Sequence, residues 1–247
     1  MSADWDAATY DRVANPQARW GMAVLDRLPL RGSERVLDAG CGSGRVTEAL
    51  AQRLPAGSVV ALDSSAAMLA EARRRLERFG DRIEFVQADL QEPLPIDPPV
   101  DAILSTATFH WVRDHARLFR NLAAVVRPGG WLVAQCGGKG NIATLERVLV
   151  GLGYRGVDRP FASAEETAER LAAAGFTDIR TWLSDEPTRF DRGRPFEDFL
   201  ETVCLREHVA TMTPDDRRAF VREVSAQMRE PVLDYVRLNI VARRGSD

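Results

Sequence analysis

The segment Val36-Leu37-Asp38-Ala39-Gly40-Cys41-Gly42-Ser43-Gly44 restricts what this chain can fold into more than any other. A short apolar strand runs into three glycines at alternate positions, and the pattern predicts a helix from Arg45 to Leu54. Glycine is needed where the backbone must turn tightly and let a ligand approach with no Cβ in the way. The opening of a helix adds unpaired N–H groups to the same place. A second apolar run, Val59-Val60-Ala61-Leu62, ends in Asp63. An acidic residue at the end of the second strand of a βαβ unit lies where a ribose diol binds. The unit reads as the nucleoside-binding half of a doubly wound sheet.

The glycine spacing is Gly-x-Gly-x-Gly, not the Gly-x-Gly-x-x-Gly of dinucleotide folds, and Asp38 precedes it at the strand end. That carboxylate would repel a pyrophosphate and suits a cationic group, such as the amino group of a methionine-like tail. The combination resembles the first motif of class I S-adenosylmethionine-dependent methyltransferases, D/E-x-G-x-G-x-G, matched by Asp38 to Gly44. A strand–turn–helix corner with glycines for packing alone is the plainer alternative.

At 247 residues the chain is long enough for one domain with embellishments. A hydrophobic content of 45% with 28% charged residues fits a globular protein rather than a disordered one. The net charge of -3 and pI near 5.8 offer no polycationic footprint for nucleic acid. Lys139 is the single lysine among 33 basic residues. No apolar run reaches the ~20 residues of a membrane span, and the N-terminus lacks the charged-then-apolar layout of a signal peptide. Cys41, Cys136 and Cys204 have no metal-like spacing and no even disulfide count. A cytoplasmic protein that holds no metal, no nucleic acid and no membrane is therefore expected, with its oligomeric state open.

Along the chain, Trp5 to Leu28 reads as helical with an interruption at Asn15-Pro16. Ser64-Ser65 can cap a helix through Met68, Leu69, Ala72 and Leu76. Met68 lies five residues past Asp63, within reach of a base whose ribose Asp63 holds, and reads equally as core filler. A third strand, Ile83 to Gln87, runs into Ala88-Asp89-Leu90. The prolines 93, 95, 98 and 99 make a stiff loop before the fourth strand, Val100 to Leu104, which leads into Ser105-Thr106-Ala107-Thr108-Phe109-His110-Trp111. Ligands of doubly wound sheets lie beyond the carboxyl ends of the strands, so this last stretch is expected beside the reacting group. A helix from His115 to Val126, a fifth strand from Trp131 to Gln135 and a short helix around Leu145 to Leu149 follow. Ser163 caps a further helix that Gly175 stops. Phe176 to Leu183 is the sixth strand, Pro195–Arg206 and Pro214–Met228 are amphipathic helices, and Val232 to Ala242 is the last strand.

The resemblance extends over nearly the whole chain and is nearest to trans-aconitate methyltransferase-like proteins. Its marks are Asp4-Trp5 with Tyr10, Asp63-Ser64-Ser65 with Met68 to Arg73, Trp111 with Asp114-His115, and Arg237-Leu238 with Val241 to Arg244. It implies a Rossmann-like, doubly wound seven-stranded α/β sheet whose last strand is antiparallel, plus a helical cap. The expected organisation is one domain: an N-terminal helical arm (1-33), a cofactor-binding core (34-137), and a C-terminal part with the cap and the last two strands (138-247). Implied cofactor contacts are Asp38, Gly40, Cys41, Gly42, Gly44, Asp63, Ser64, Met68, Ala88, Asp89, Leu90, Ser105 and Tyr10, the cofactor being S-adenosyl-L-methionine and its product S-adenosyl-L-homocysteine. Trp111, Arg19 and Arg206 are the candidate substrate contacts. The implied activity is methyl transfer to a small molecule by direct displacement, with a small carboxylic acid such as trans-aconitate as acceptor. A carboxylate needs no general base, whereas a phenol or hydroxyl does, and His110 is the candidate base. A neutral acceptor, or a protein that binds the cofactor without turnover, are the alternatives. A nicotinamide oxidoreductase is disfavoured by the glycine spacing and Asp38. His115 and His208 read as helix-surface residues.

Overall fold

The computed structural model describes residues 15–156 and 158–246. The elements in order are α1 (Asn15–Leu25), β1 (Arg35–Ala39), α2 (Arg45–Gln52), β2 (Ser58–Asp63), α3 (Ala66–Leu76), β3 (Ile83–Gln87), β4 (Val100–Thr106), α4 (His115–Val125) and β5 (Val126–Gly137). They continue with α5 (Ala143–Gly151), α6 (Ala164–Ala173), β6 (Phe176–Asp185), β7 (Thr188–Arg189), α7 (Arg194–Phe199), α8 (Arg206–Val209), α9 (Pro214–Gln227), β8 (Val232–Leu233) and β9 (Val236–Arg244).

Seven strands form one sheet in the order β3-β2-β1-β4-β5-β9-β6. The strands β1 to β5 pair in parallel, and β9 runs antiparallel to both of its neighbours, β5 and β6. The strands are apolar on both faces because helices cover both. Val36, Val59, Ala61, Ala102, Leu104 and Val133 pack with Val24, Leu50, Leu69 and Ala72 of α1 to α3 on one side. Their alternate neighbours Leu37, Val60, Leu62, Ile103, Leu132 and Ala134 pack with Leu118, Phe119, Leu122 and Leu171 of α4 and α6 on the other. Period-two alternation between two apolar cores is the pattern of a sheet buried on both faces. A third cluster joins Phe196, Phe199, Leu200, Phe220 and Val224 of α7 to α9 with Leu145 of α5, Trp20 of α1 and Tyr235 before β9. These late helices form the cap over the carboxyl ends of the strands.

Caps and breakers set the boundaries. Ser65 accepts the Met68 N–H at the start of α3, and Asp114 accepts the Arg117 N–H at the start of α4. Ser163 and Glu166 form a reciprocal capping box on α6, and Gly175 follows that helix at φ +85°.

Several features differ from the sequence expectation, among them the start of β5 at Val126 rather than Trp131. Pro16 lies in the first turn of α1 rather than interrupting it, because a missing N–H is harmless there. The helix expected over Pro195–Arg206 is divided: a π turn, Leu200–Cys204, closes with Leu205 N–H donating to the Leu200 carbonyl at 2.8 Å, and Leu205 ends the run. The last strand is also split, with Asp234 and Tyr235 between β8 and β9. His115 is buried at 4% exposure, with Nε2 bonded to the Phe109 carbonyl at 2.9 Å.

Candidate active site

The carboxyl ends of β1, β2, β3 and β4 lie side by side and carry the residues singled out from the sequence. Gly40, Gly42 and Gly44 have φ of +86°, +55° and +82°, a left-handed backbone that side chains disfavour. Each glycine meets a different neighbour. A Cβ at Gly40 would fall 2.2 Å from Thr108 Oγ1, and one at Gly44 would press on Ala72 and Leu76 of α3 at 3.2 Å. A Cβ at Gly42 would meet nothing within 4 Å among the described residues. Gly42 is thus the glycine beside open space, while Gly40 and Gly44 permit close packing; the expectation that Gly40 spares room for a ligand becomes room for Thr108.

Asp38, the penultimate residue of β1, is almost fully buried at 1% exposure. Its Oδ2 accepts the Thr47 hydroxyl at 2.7 Å, and its Oδ1 has no partner among the described residues. Burial, with a smaller contribution from the neighbouring Asp63 carboxylate, pushes the Asp38 carboxyl up to about 7. Asp63, half-buried at the end of β2, accepts the Gly42 N–H and the Ser65 N–H at 2.9 Å each, one on each oxygen. Those two bonds fix the carboxylate plane against the glycine turn. Ser64 is exposed, Met68 is buried beneath it, and Cys41 is a buried thiol that burial holds in its protonated form. Ala88, Asp89 and Leu90 continue past β3, where Asp89 Oδ1 accepts the Gln91 N–H at 2.9 Å in a local turn. Ser105 spends its hydroxyl on the Ala39 carbonyl at 2.6 Å, tying β4 to β1. Tyr10 lies outside the described residues.

A nucleoside bearing a cationic tail fits this arrangement. The orphaned, buried Asp38 Oδ1 needs a positively charged or donating partner. The open face at Gly42 leaves room for the tail, and the Asp63 carboxylate stands at the end of β2, where a ribose diol lies in such folds.

Beyond the ends of β4 and β5 a small cavity of about 30 Å³ lies under the cap. His110 and Trp111 line it from the turn after β4, Arg237 and Tyr235 from the start of β9, and Arg159 from the connection after α5. Two of its wall residues, Ala107 and Ile142, hold φ of +56° and +54°. Left-handed backbone at non-glycine residues costs about 1–3 kcal/mol each and gathers at functional sites.

The cavity is rich in donors. The Arg159 guanidinium stacks 3.7 Å from the centre of the Trp111 ring, and one of its terminal nitrogens reaches the carbonyls of Val203 and Cys204 at the end of the π turn. Cationic groups are favoured at such helix ends. Arg159 Nε and Gln17 Oε1 are buried with no partner among the described residues. Arg237, 3% exposed, lies 4.6 Å from the centre of the Trp20 ring. His110 Nδ1 accepts the Gly137 amide N–H at 3.2 Å. Because an amide can only donate, the neutral imidazole carries its proton on Nε2, the opposite edge of the ring. Burial, then the nearby charges of Arg237 and Arg159, holds the His110 pKa well below the ordinary histidine range. Burial likewise raises the pKa of Cys204 to about 11 and that of Tyr235 well above the phenol range, so both stay protonated.

The sequence-based candidates Trp111 and His110 stand on the cavity wall. Arg19 stands on the surface, its side chain 70% exposed and paired with Glu186 at 3.4 Å. Arg206 is partly exposed in α8 and is not among the residues lining the cavity. Sequence reasoning missed Arg159, Arg237 and Tyr235 as site residues. For Arg237 a signal existed: Arg237 and Asn239 are polar at alternate positions of a strand that is otherwise apolar inward. Arg159 sits in an irregular connection and carried no such mark.

Residues 36–130 match the family described as a methyltransferase domain. Over 271 aligned residues the chain is 33% identical to the trans-aconitate 2-methyltransferase of Methylobacterium nodulans, covering 98% of this chain and 99% of the relative. It is 29% identical over 255 residues to the protein of the same name from Escherichia coli strain K12, again over 98% of this chain and 99% of the relative. The fold is shared with Haemonchus contortus phosphoethanolamine N-methyltransferase 2, solved with phosphomonomethylethanolamine and S-adenosylhomocysteine. That likeness has a TM-score of 0.65 at 20% identity, over 98% of this chain and 57% of the other.

Proposed function

The chain belongs to the class I S-adenosylmethionine-dependent methyltransferases, and from that premise we propose that it methylates a carboxylate oxygen of a small organic acid. That it is an enzyme methylating a small molecule with S-adenosylmethionine follows from its full-length relatives; the acceptor class is the further step. Bound at the glycine turn, the cofactor supplies a methyl group already activated on a positively charged sulfur. Asp63 would hold the ribose diol, Asp38 the amino group, and the open face at Gly42 the tail. Met68, Ala88, Asp89 and Leu90 would border the base.

One observation carries the acceptor assignment. The cavity beside this turn is lined by two guanidinium groups and a neutral imidazole that can only donate on its open edge, and by no carboxylate among the described residues. A phenol, hydroxyl or ammonium acceptor must lose a proton, and a base is needed to take it. His110 is unsuited to that role: its lone pair is taken by Gly137, and the positive charge a base would acquire is opposed by Arg159 and Arg237. A carboxylate arrives deprotonated, and its oxygens are what guanidinium forks and an imidazole N–H bind. His110 therefore serves as a hydrogen-bond donor that orients the acid, and the role of base expected from the sequence is withdrawn. Trp111 flanks the acid by fixing Arg159. At about 30 Å³ the cavity has room for about one water molecule, so the cap must part to admit the acid, and its closure over the bound acid would exclude water and strengthen these contacts.

The names of the relatives make trans-aconitate the first acid to test. Release of S-adenosylhomocysteine should be followed with di- and tricarboxylic acids, phenols and amines, with the product identified by mass. A methyl ester is expected. Turnover of neutral phenols or amines with no acid accepted would overturn the assignment. The three cysteines are all free thiols, which supports a reducing, cytoplasmic setting.

A further inference from the structure

Arg237 is held from behind by two buried amides. Gln135 of β5 and Asn239 of β9 face each other across the antiparallel ladder, at 4% and 0% exposure. Placing two amides inside a sheet is unfavourable unless their polar atoms are used. Here Gln135 Nε2 donates to Asn239 Oδ1 at 2.8 Å, and the same oxygen accepts Arg27 Nη1 at 2.6 Å. Asn239 Nδ2 donates to Ser184 Oγ at 3.0 Å and to the Arg237 carbonyl at 3.1 Å. The remaining oxygen, Gln135 Oε1, accepts Arg237 Nε at 3.4 Å.

The network reaches the cavity at a second point. The Gln135 backbone carbonyl accepts the N–H of Ala107, the left-handed residue of the cavity wall, at 2.7 Å. On its other side Arg237 rests on Trp20, whose indole N–H donates to Glu186 at 3.3 Å. The guanidinium is thus gripped at Nε and across its face, and the same residue lines the cavity. Two apolar residues at 135 and 239 would join these strands at least as stably, so strand pairing alone does not account for the amides.

We infer that Gln135 and Asn239 are positioning residues that set the plane of the Arg237 guanidinium in the acceptor cavity and so fix the affinity for the acid. This rests on the reading of the cavity as a carboxylate site. An arginine fork binds a carboxylate through two parallel bonds, and a tilt of its plane forfeits one of them.

The test uses the full chain with S-adenosylhomocysteine bound and trans-aconitate as titrant. Tryptophan fluorescence is read because Trp20 and Trp111 lie against the two cavity arginines. Gln135→Met should weaken acid binding by about tenfold, the loss of one charge-assisted bond. KM should rise in step, with kcat within about twofold and cofactor affinity unchanged, as uniform loss of acceptor binding requires. A merely structural role would lower the unfolding temperature and leave KM alone. Should Gln135→Met fail to fold, Gln135→Glu keeps the shape and places a carboxylate on Arg237. It too should weaken the acid by at least about tenfold, through competition for the same guanidinium. Native acid affinity in either folded variant, alongside weak binding by Arg237→Ala, overturns the positioning role. If Arg237→Ala also binds normally, or the unmodified protein binds no acid, the carboxylate reading itself is what fails and the inference falls with it.

Discussion

On the cofactor side, the residues proposed to frame the ligand follow one another along the chain from Asp38 to Leu90, at or just beyond the ends of neighbouring parallel strands. On the acceptor side, Gln17, His110, Asn141, Arg159, Cys204 and Arg237 come from six separate stretches that meet only after the cap has packed. The first half works largely through backbone, with left-handed glycines and amide N–H groups that orient Asp63. The second works through long side chains held by aromatic rings and carbonyls. A backbone-built site tolerates almost no substitution, whereas a side-chain-built site can be retuned without refolding.

The largest effect is expected at Gly40. A valine there would force its Cβ into Thr108 and would adopt φ +86° against its β-branched preference. Gly40→Val should lose cofactor binding by calorimetry and at least about 3 kcal/mol of stability. Gly42→Ala is the control, since none of the described residues lies within 4 Å of the added Cβ. It should keep most of the stability, at about 1–2 kcal/mol of backbone strain, and still bind the cofactor poorly. Normal binding by Gly42→Ala would mean that the turn serves packing alone.

Next comes the pH dependence set by Asp38. The folded protein holds this proton up to about 7, whereas the unfolded chain releases it near 3.8. Between those values the folded state binds more protons, so this group's contribution to stability falls as pH rises through the window and is flat above it. At about 1.4 kcal/mol per pKa unit the loss is on the order of 4 kcal/mol. Urea midpoints of the cofactor-free protein at pH 5 and pH 8, compared with Asp38→Asn, isolate it. The variant should be the more stable protein at pH 8 and the weaker binder of S-adenosylmethionine.

On the acceptor side the effects should be smaller and confined to the acid. Arg159→Ala should raise KM for the carboxylic acid by about 10- to 100-fold, the value of one hydrogen bond to a charged group. S-adenosylmethionine affinity should be unchanged. Arg19→Ala, at an exposed pair with Glu186, should leave KM within about twofold. Equal KM effects from the two would show that the cavity is not the acceptor site.

The smallest change is expected at His110→Gln. A glutamine can accept the Gly137 N–H with one end and donate to the acid with the other, so kcat/KM should stay within about threefold. With the cofactor saturating, so that its amino group keeps Asp38 ionised, kcat should be independent of pH from 6 to 8, since neither the buried imidazole nor the acid titrates there. An acid limb that disappears in His110→Gln would restore the base.

The same contrast explains what was legible beforehand. The sheet and its cofactor edge could be read because the strand, turn and helix that make them are contiguous, and because the inward residues alternate between two apolar cores. Asp38, the glycines and Asp63 are marked by spacing alone. Arg159 and Arg237 are marked only by where the cap and β9 place them, and in a chain with many arginines an exposed one such as Arg19 looks the same. The break at Leu205 was hidden because its cause is tertiary: the carbonyls of Val203 and Cys204 are taken by Arg159 from another part of the chain. The split at Asp234 has a similar origin. That carboxylate leaves the strand to accept the Thr144 N–H and hydroxyl at the start of α5.

The place of β9 in the sheet has a consequence for how the protein is made. Being later in the chain than all other strands of the sheet yet wedged between β5 and β6, it reaches its position only after each of them has been made. Until then β5 presents an open edge, a hazard that nascent β-structure must survive. The glycine turn and Asp63 can already be in place at that stage, since β1, β2 and β4 need nothing from β9 to pair. Arg237 and Tyr235 arrive with the closing strand. During its own synthesis the polypeptide would thus gain a grip on its methyl donor before it has anywhere to put the proposed acid, and arrest of translation within β9 should yield chains that bind the first and ignore the second.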